Sequence, residues 1–495
     1  MTRIDRRWSS SLVALPMELL LGLTSVPLLF LLAHSSSDGL GVEWSSFGRT
    51  LAFAVGGAVV ATTEGGAIGI LLSTREFPGR KWLFALSAVP IAAPPAFWWI
   101  GATRLTSAWG NASGPGAAAV VAGLALSPVT LLLVCAALRQ MSSNLYQAAR
   151  LSLPPAVRLR AVLLPLLRSP LAGGFVLTMI LLLGESELPF LFGFRTLMTD
   201  VVTTFSQTFD VGKTLPFVIP LLLAILVLGF LAERPLMRTI LTPSRGAHGV
   251  VRRPASVALA LSAAAPAVCL LLSVGGYAWA ASAALSGSAP RAPFEVSTVL
   301  VSIIEPVGCA WSALLLTLVA AYPARRSGAM PAFLWIGLLL FCVPAAVYAI
   351  GWLGVGQRLG GLAIPPAVAH TSRAVALSTL GFAIGYSRLP TSLEDAAALV
   401  RVSSARRAFL FVLPLIVGSL AASAALVAAL TYADRDVASL LLSPGASRLT
   451  LNLYLASANA PSSTVGVLAL ATLGGAALAV ALAAAGPSVL WWRRG

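Results

Sequence analysis

The chain has 495 residues, of which 58% are apolar and only 10% charged, and its mean hydropathy is +0.90. Soluble domains carry about 25% charged residues, so a soluble globular enzyme is excluded. The net charge of +16 would suggest nucleic acid in a soluble chain, but here the arginines cluster in short loops between apolar runs, which excludes that partner and points to a membrane.

The apolar runs are about 20 residues long, enough at 1.5 Å per residue to cross the roughly 30 Å hydrocarbon core. They predict an all-α polytopic membrane protein of about twelve transmembrane helices. The spans fall near 11–33, 50–73, 83–105, 116–138, 171–193, 214–233, 255–282, 296–322, 329–354, 363–387, 409–431 and 465–490. The first run follows Arg3, Arg6 and Arg7 as in a secretory signal. It is longer than the 7–15 residues of such a core, so it reads as a retained span. Pro94-Pro95 and Pro365-Pro366 are expected to kink their spans.

Most of the 33 basic residues lie in the N-terminal tail, the even-numbered loops and the C-terminal tail. The positive-inside rule places those segments and both termini in the cytoplasm. Membrane lipids are then a partner along the whole apolar belt.

Landmarks recur along the chain in the same order. Phe77-Pro78-Gly79-Arg80 returns as Tyr322-Pro323-Ala324-Arg325, and Pro95 with Ile100-Gly101 returns as Pro344 with Ile350-Gly351. Gln147-Ala148-Ala149 returns as Asp395-Ala396-Ala397, and the acidic pair Glu185/Glu187 as Asp434/Asp436. The expected organisation is two parallel six-helix repeats, residues 1–245 and 246–495, joined through the Arg-rich stretch near 234–254.

Two cytoplasmic loops stand out, 139–170 and 388–414. Each reads as a short helix, a break, and an amphipathic stretch that returns to the membrane. A short helix with small residues along it suits a groove on another protein; anchorage to lipid alone is the plainer alternative. Recurrence at the same place in both halves favours the protein partner.

At these residues the sequence resembles the permease subunits of binding-protein-dependent ABC importers, whose cytoplasmic loop carries Glu-Ala-Ala, a following Gly and then Leu-Pro. Asp395-Ala396-Ala397 with Leu413-Pro414 keeps that spacing, and Gln147-Ala148-Ala149 with Leu164-Pro165 is one residue shorter. Glu394 lies one position out of register as an alternative first acid. The loop glycine is replaced by Leu153 in one half and Arg401 in the other, which removes an easy positive-φ position. Arg75–Arg80 and Ser439–Gly445 with Thr450-Leu451 are similar to further segments of the double-length ferric-iron and thiamine permeases. The resemblance implies a type I importer permease in a bacterial inner membrane. It implies a separate cytoplasmic ABC ATPase dimer docked on Gln147, Ala148, Ala149 and Leu153 and on Glu394, Asp395, Ala396, Ala397 and Arg401. A periplasmic or lipid-anchored substrate-binding protein would serve the outer face. Ferric iron, thiamine or a similar small solute is the implied substrate.

The chain has no G-x-x-x-x-G-K-[ST] loop, so no ATPase site of its own is expected. His34, His248 and His370 are far apart, and Cys135, Cys269, Cys309 and Cys342 lie in apolar runs without metal-ligand spacing. No catalytic residue, metal or cofactor is therefore expected.

Charge within a span is costly and points to function by default. Glu64 and Glu305 are expected on equivalent faces of the second and eighth spans. Glu185, Glu187, Asp434 and Asp436 lie late in the fifth and eleventh. All six are candidates for a translocation path or gate. The alternative is structural: pairing with an arginine such as Arg435, or capping the next short helix. His370 and Arg373 read as interhelical partners. A secondary transporter of the major-facilitator type also has two parallel six-span halves. Its long loop lies in the middle, however, and its Asp-Arg motif is missing from Glu76–Arg80.

Overall fold

The computed structural model describes residues 3–33, 43–86, 89–107, 113–140, 143–241, 253–254, 294–325, 330–387, 389, 396 and 403–492. The described residues are almost wholly helical. The first part comprises α1 (Arg3–Ala33), α2 (Trp44–Thr74), α3 (Arg80–Leu86), α4 (Val89–Ala92), α5 (Pro95–Thr106) and α6 (Gly114–Gln140). It continues through α7 (Ser143–Ser152), α8 (Pro155–Arg158), α9 (Leu164–Leu183), α10 (Glu187–Leu191), α11 (Leu197–Thr208) and α12 (Leu215–Leu241). The later part comprises α13 (Val296–Ala324), α14 (Met330–Cys342), α15 (Ala345–Arg358), α16 (Pro366–Ser387), α17 (Ser404–Arg407), α18 (Leu413–Ala433), α19 (Asp436–Leu441), α20 (Leu449–Asn459) and α21 (Ser462–Trp492). Two dipeptides, Arg75–Glu76 and Arg253–Pro254, pair in parallel.

Among the described residues, eight helices are long and apolar enough to cross a membrane, or nine if a bent pair counts as one span. The expected twelve differ from this for identifiable reasons. The seventh expected span, 255–282, lies outside the described residues. The third is broken into α3, α4 and α5, where Pro94-Pro95 cannot continue a helix and Pro94 sits at the N-cap of α5. The ninth is α14 and α15, which meet at 91° across Val343-Pro344. The fifth ends at Leu183 rather than near 193, because Gly184 closes α9. Pro366 starts α16 rather than kinking it.

Small residues let the helices approach. Gly57, Ala61, Gly65 and Gly69 are buried at every fourth position of α2, the small-residue stripe that draws membrane helices together. A Cβ on Gly65 would stand 2.1 Å from the Ser127 carbonyl oxygen of α6, and one on Gly123 would stand 2.5 Å from that of Gly57. On α16, Gly381 and Gly385 meet Ser423 and Ser419 of α18 in the same way. Leu51, Val55 and Val59 on the outer side of α2 are exposed, as a lipid-facing surface requires.

Elements recur in order. α8 leads through a π-helical turn, Leu159–Leu163, into α9, and α17 leads through Ala408–Val412 into α18. Pro165 and Pro414 follow these turns. Each lacks an N–H for the carbonyl four residues back and its ring crowds that carbonyl, so the chain widens locally. The Thr50 hydroxyl on α2 accepts the first amide of α11, Leu197 N, at 2.8 Å. The Ser302 hydroxyl on α13 accepts Leu449 N of α20 at 2.9 Å. Each thereby serves an otherwise orphaned helix-end donor.

α1 packs on α13, α14 and α15 rather than on α2. Gly351 and Gly354 of α15 make room for it: a Cβ at either would meet Pro27 or Phe30 within 2.5 Å. The Tyr348 hydroxyl donates to the Thr24 carbonyl, which fixes α1 along the helix axis.

Candidate functional site

The acidic pairs lie just past the ends of α9 and α18, and the first acid of each pair caps the short helix that follows. Glu185 Oε1 accepts Glu187 N at 2.9 Å and Leu188 N at 3.2 Å, and Asp434 Oδ1 accepts Val437 N at 3.2 Å. These bonds serve the free amides at the starts of α10 and α19.

The second acid of each pair reaches out. Glu187 is buried and its Oε1 accepts Ala96 N at the start of α5, 3.0 Å away. Asp436 accepts the Ser186 hydroxyl at 2.8 Å and Arg435 Nη2 at 2.6 Å. Arg435 Nε also stands 3.7 Å from Glu187 Oε2, and its guanidinium lies 4.1 Å over the Tyr454 ring. Residues from the two repeated segments thus form one charge cluster, Ser186–Asp436–Arg435–Glu187. Buried charges persist only when paired and hydrogen-bonded in this way.

The cluster lines a cavity of about 220 Å³. Trp98, Pro344, Gly184 and the two acidic pairs form much of the wall, with His370 and Arg373 of α16 beside them. Arg373 Nη1 donates to Asp434 Oδ2 at 3.0 Å, and its Nη2 donates to the Phe341 and Val343 carbonyls, where α14 ends. The prolines that break α14–α15 and precede α5 open this space, because Pro344 and Pro95 turn the helices at its wall.

His370 is buried and its Nδ1 lies 3.2 Å from Glu305 Oε1 on α13. Arg448, at the N-cap of α20, contacts the same carboxylate. The wide separation of the three histidines along the chain gives no sign of this histidine–carboxylate contact. His370 of α16, Glu305 of α13 and Asp434 just past α18 come together although sequence spacing does not relate them. Arg448 was not among the candidates. The signal it gave was an isolated arginine just before an apolar helix.

Glu64 and Glu305 are not brought together. Glu305 joins His370 and Arg448, whereas Glu64 is half-buried on α2 and its Oε1 has no hydrogen-bond partner among the described residues. Glu64 does not line the cavity.

On α7, Gln147 and Ala148 are exposed and Ala149 is buried. Leu151 is 88% exposed, and Leu153 closes the helix by donating to the Ala149 carbonyl. In the second loop Glu394, Asp395, Ala397 and Arg401 lie outside the described residues, and Ala396 is exposed.

Residues 65–235 match the family model described as "Binding-protein-dependent transport system inner membrane component". The matched segment, roughly a third of the chain, runs from the middle of α2 to within α12. It includes α7, Glu185 and Glu187. Neither the curated proteins nor the solved structures give a match. The match and the apolar helices support a multi-pass inner-membrane protein.

Proposed function

We propose that the chain is the membrane-spanning permease subunit of an ATP-driven, binding-protein-dependent importer of a bacterial inner membrane, with both termini in the cytoplasm. Residues 1–245 and 246–495 form its two halves, and the solute crosses between them. The observation that supports this most is the family match, because it runs without interruption through α7 and the acidic pair of α9–α10.

In this reading the energy comes from a separate ABC ATPase dimer. Its motion enters through Gln147, Ala148, Ala149 and Leu153 on one side and through Glu394, Asp395, Ala396, Ala397 and Arg401 on the other. α7 is joined by a break of few residues to α8 and the π-helical turn, which run straight into α9. A displacement of α7 is passed across that short break to α8 and α9, and Glu185 and Glu187 lie just past the far end of α9. Rocking of one half against the other opens or closes the cavity, as in alternating access. Glu185, Glu187, Asp434 and Asp436 form the gate, with Glu305 beside it; Glu64 belongs to this set only if the path also runs along α2.

A substrate-binding protein delivers the solute to the outer face. Ferric iron, thiamine or a similarly small solute is the proposed substrate. The four acidic residues against two arginines at the cavity favour a cationic one.

The test is paired substitution of the loops, Ala148→Arg with Ala396→Arg. Inserted, correctly folded chain that no longer supports uptake, with ATP hydrolysis no longer stimulated by the permease, is the expected result. Uptake at the unsubstituted rate would overturn the coupling role.

A further inference from the structure

We propose that Glu305, Cys309 and His370 form a binding site for one divalent transition-metal ion of the zinc class, set between α13 and α16 beside the central cavity. Glu305 and Cys309 are one helical turn apart on α13, so both side chains lie on the same face. His370 meets that face from α16. One ligand atom from each residue lies within 4.8 Å of the others. The His370 Nδ1 to Glu305 Oε1 distance is 3.2 Å. Two ligands held at about 2.0–2.2 Å from one tetrahedral ion stand roughly 3.3 Å apart, so this pair already has the spacing.

The donor set narrows the ion. A thiolate, an imidazole and a carboxylate suit zinc and its neighbours, whereas calcium and magnesium take oxygen alone. Ferric iron as a passing solute is not what such a set selects.

The second nitrogen of the imidazole supplies an independent indication. His370 Nε2 is buried without a hydrogen-bond partner and stands 3.8 Å from Asp434 Oδ2. Metal-binding histidines commonly turn their other ring N–H to a carboxylate. With Nδ1 on the ion, the neutral ring carries its proton on Nε2, and Asp434 becomes its acceptor.

The charges also close. Glu305 and Asp434 face Arg448 and Arg373, two negative against two positive. Binding a divalent ion with release of the Cys309 thiol proton to water adds one net positive charge, and Glu187 and Asp436, which share the single cation Arg435, lie in the same cavity to offset it. Cys309 gives up its bond to the Ala367 carbonyl. Arg448 contacts the same Glu305 oxygen and must swing away from it for the ion to bind. The cavity that His370 lines offers the entry path, and its water supplies the fourth ligand that a three-residue site leaves open.

The inference is independent of transport and is tested on the purified full chain without an ATPase. Cobalt(II) serves as the spectroscopic probe. One equivalent should produce a thiolate-to-cobalt charge-transfer band in the near ultraviolet. The band should vanish in Cys309→Ser and persist in Cys135→Ser and Cys342→Ser. His370→Gln should weaken cobalt binding at least about tenfold, the lower end of what even an outer-shell change costs. Zinc should raise the thermal midpoint of the unsubstituted chain and leave that of Cys309→Ser unmoved. Should the serine variant fail to fold, His370→Gln carries the same comparison. No band, a band that survives Cys309→Ser, or equal zinc shifts in both chains would overturn the site.

Discussion

Asp436 shows how much one side chain holds at the cavity. It accepts the Ser186 hydroxyl from the α9–α10 segment and the Arg435 guanidinium from its own segment. Truncation to alanine removes the nearest carboxylate from Arg435 and leaves it the longer contacts to Glu187 at 3.7 Å and Ser186 at 3.4 Å. Breaking a buried ion pair from one side costs about 3–5 kcal/mol, because the remaining charge stays buried and poorly paired. Asp436→Ala should therefore lower the thermal midpoint in detergent clearly, and the double change Arg435→Met with Asp436→Leu should recover part of the loss. A single variant as stable as the unsubstituted chain would show that water replaces the carboxylate at no cost. The acidic pairs were legible in the sequence because their recurrence and their place after apolar runs are local features. Helix capping and the pairing of Arg435 with its neighbour Asp436 were legible too, since those partners lie within a few residues. The contacts of Glu305 with His370 and Arg448 were not. They join residues 65 positions apart for His370 and farther still for Arg448, and no periodicity links them.

At the scale of the helix, packing rests on small residues rather than on large apolar ones. Lipid is as apolar as leucine, so close backbone approach and dispersion must hold membrane helices together. Gly65 lies where a Cβ would collide with the α6 backbone at Ser127. Gly65→Leu should force α2 and α6 apart and cost about 1–3 kcal/mol or more, read as a lowered midpoint. Gly48 on the same helix has nothing within 4 Å of its Cβ position, so Gly48→Ala should be neutral or slightly stabilising, as glycine is a poor helix former. Equal effects at the two positions would contradict the packing account. Hydropathy showed the helices well where they run unbroken. It failed at the third and ninth spans because apolar composition persists through a break, and only backbone geometry reveals that Val343-Pro344 turns the chain by 91°. The prolines marked the places but not the angles. The π-helical turns ahead of Pro165 and Pro414 were likewise unreadable from composition. They arise from a missing amide and a crowded carbonyl rather than from a hydropathy pattern.

For the whole molecule, the recurring elements meet across the cavity while α1 crosses to pack on α13, α14 and α15. α7 lies before the start of the α8–α9 stretch, with one short break between, and the charged cavity lies at the other end of that stretch. In the proposed function, a push on this surface helix becomes a change at the buried charge cluster. The most direct test of that account is to purify the tagged chain from native membranes in mild detergent and to quantify what accompanies it. The account predicts an ABC ATPase at two copies per chain, lost when Ala148 and Ala396 are replaced by arginine. A chain that purifies without an ATPase, under conditions that keep a known importer intact, would contradict it.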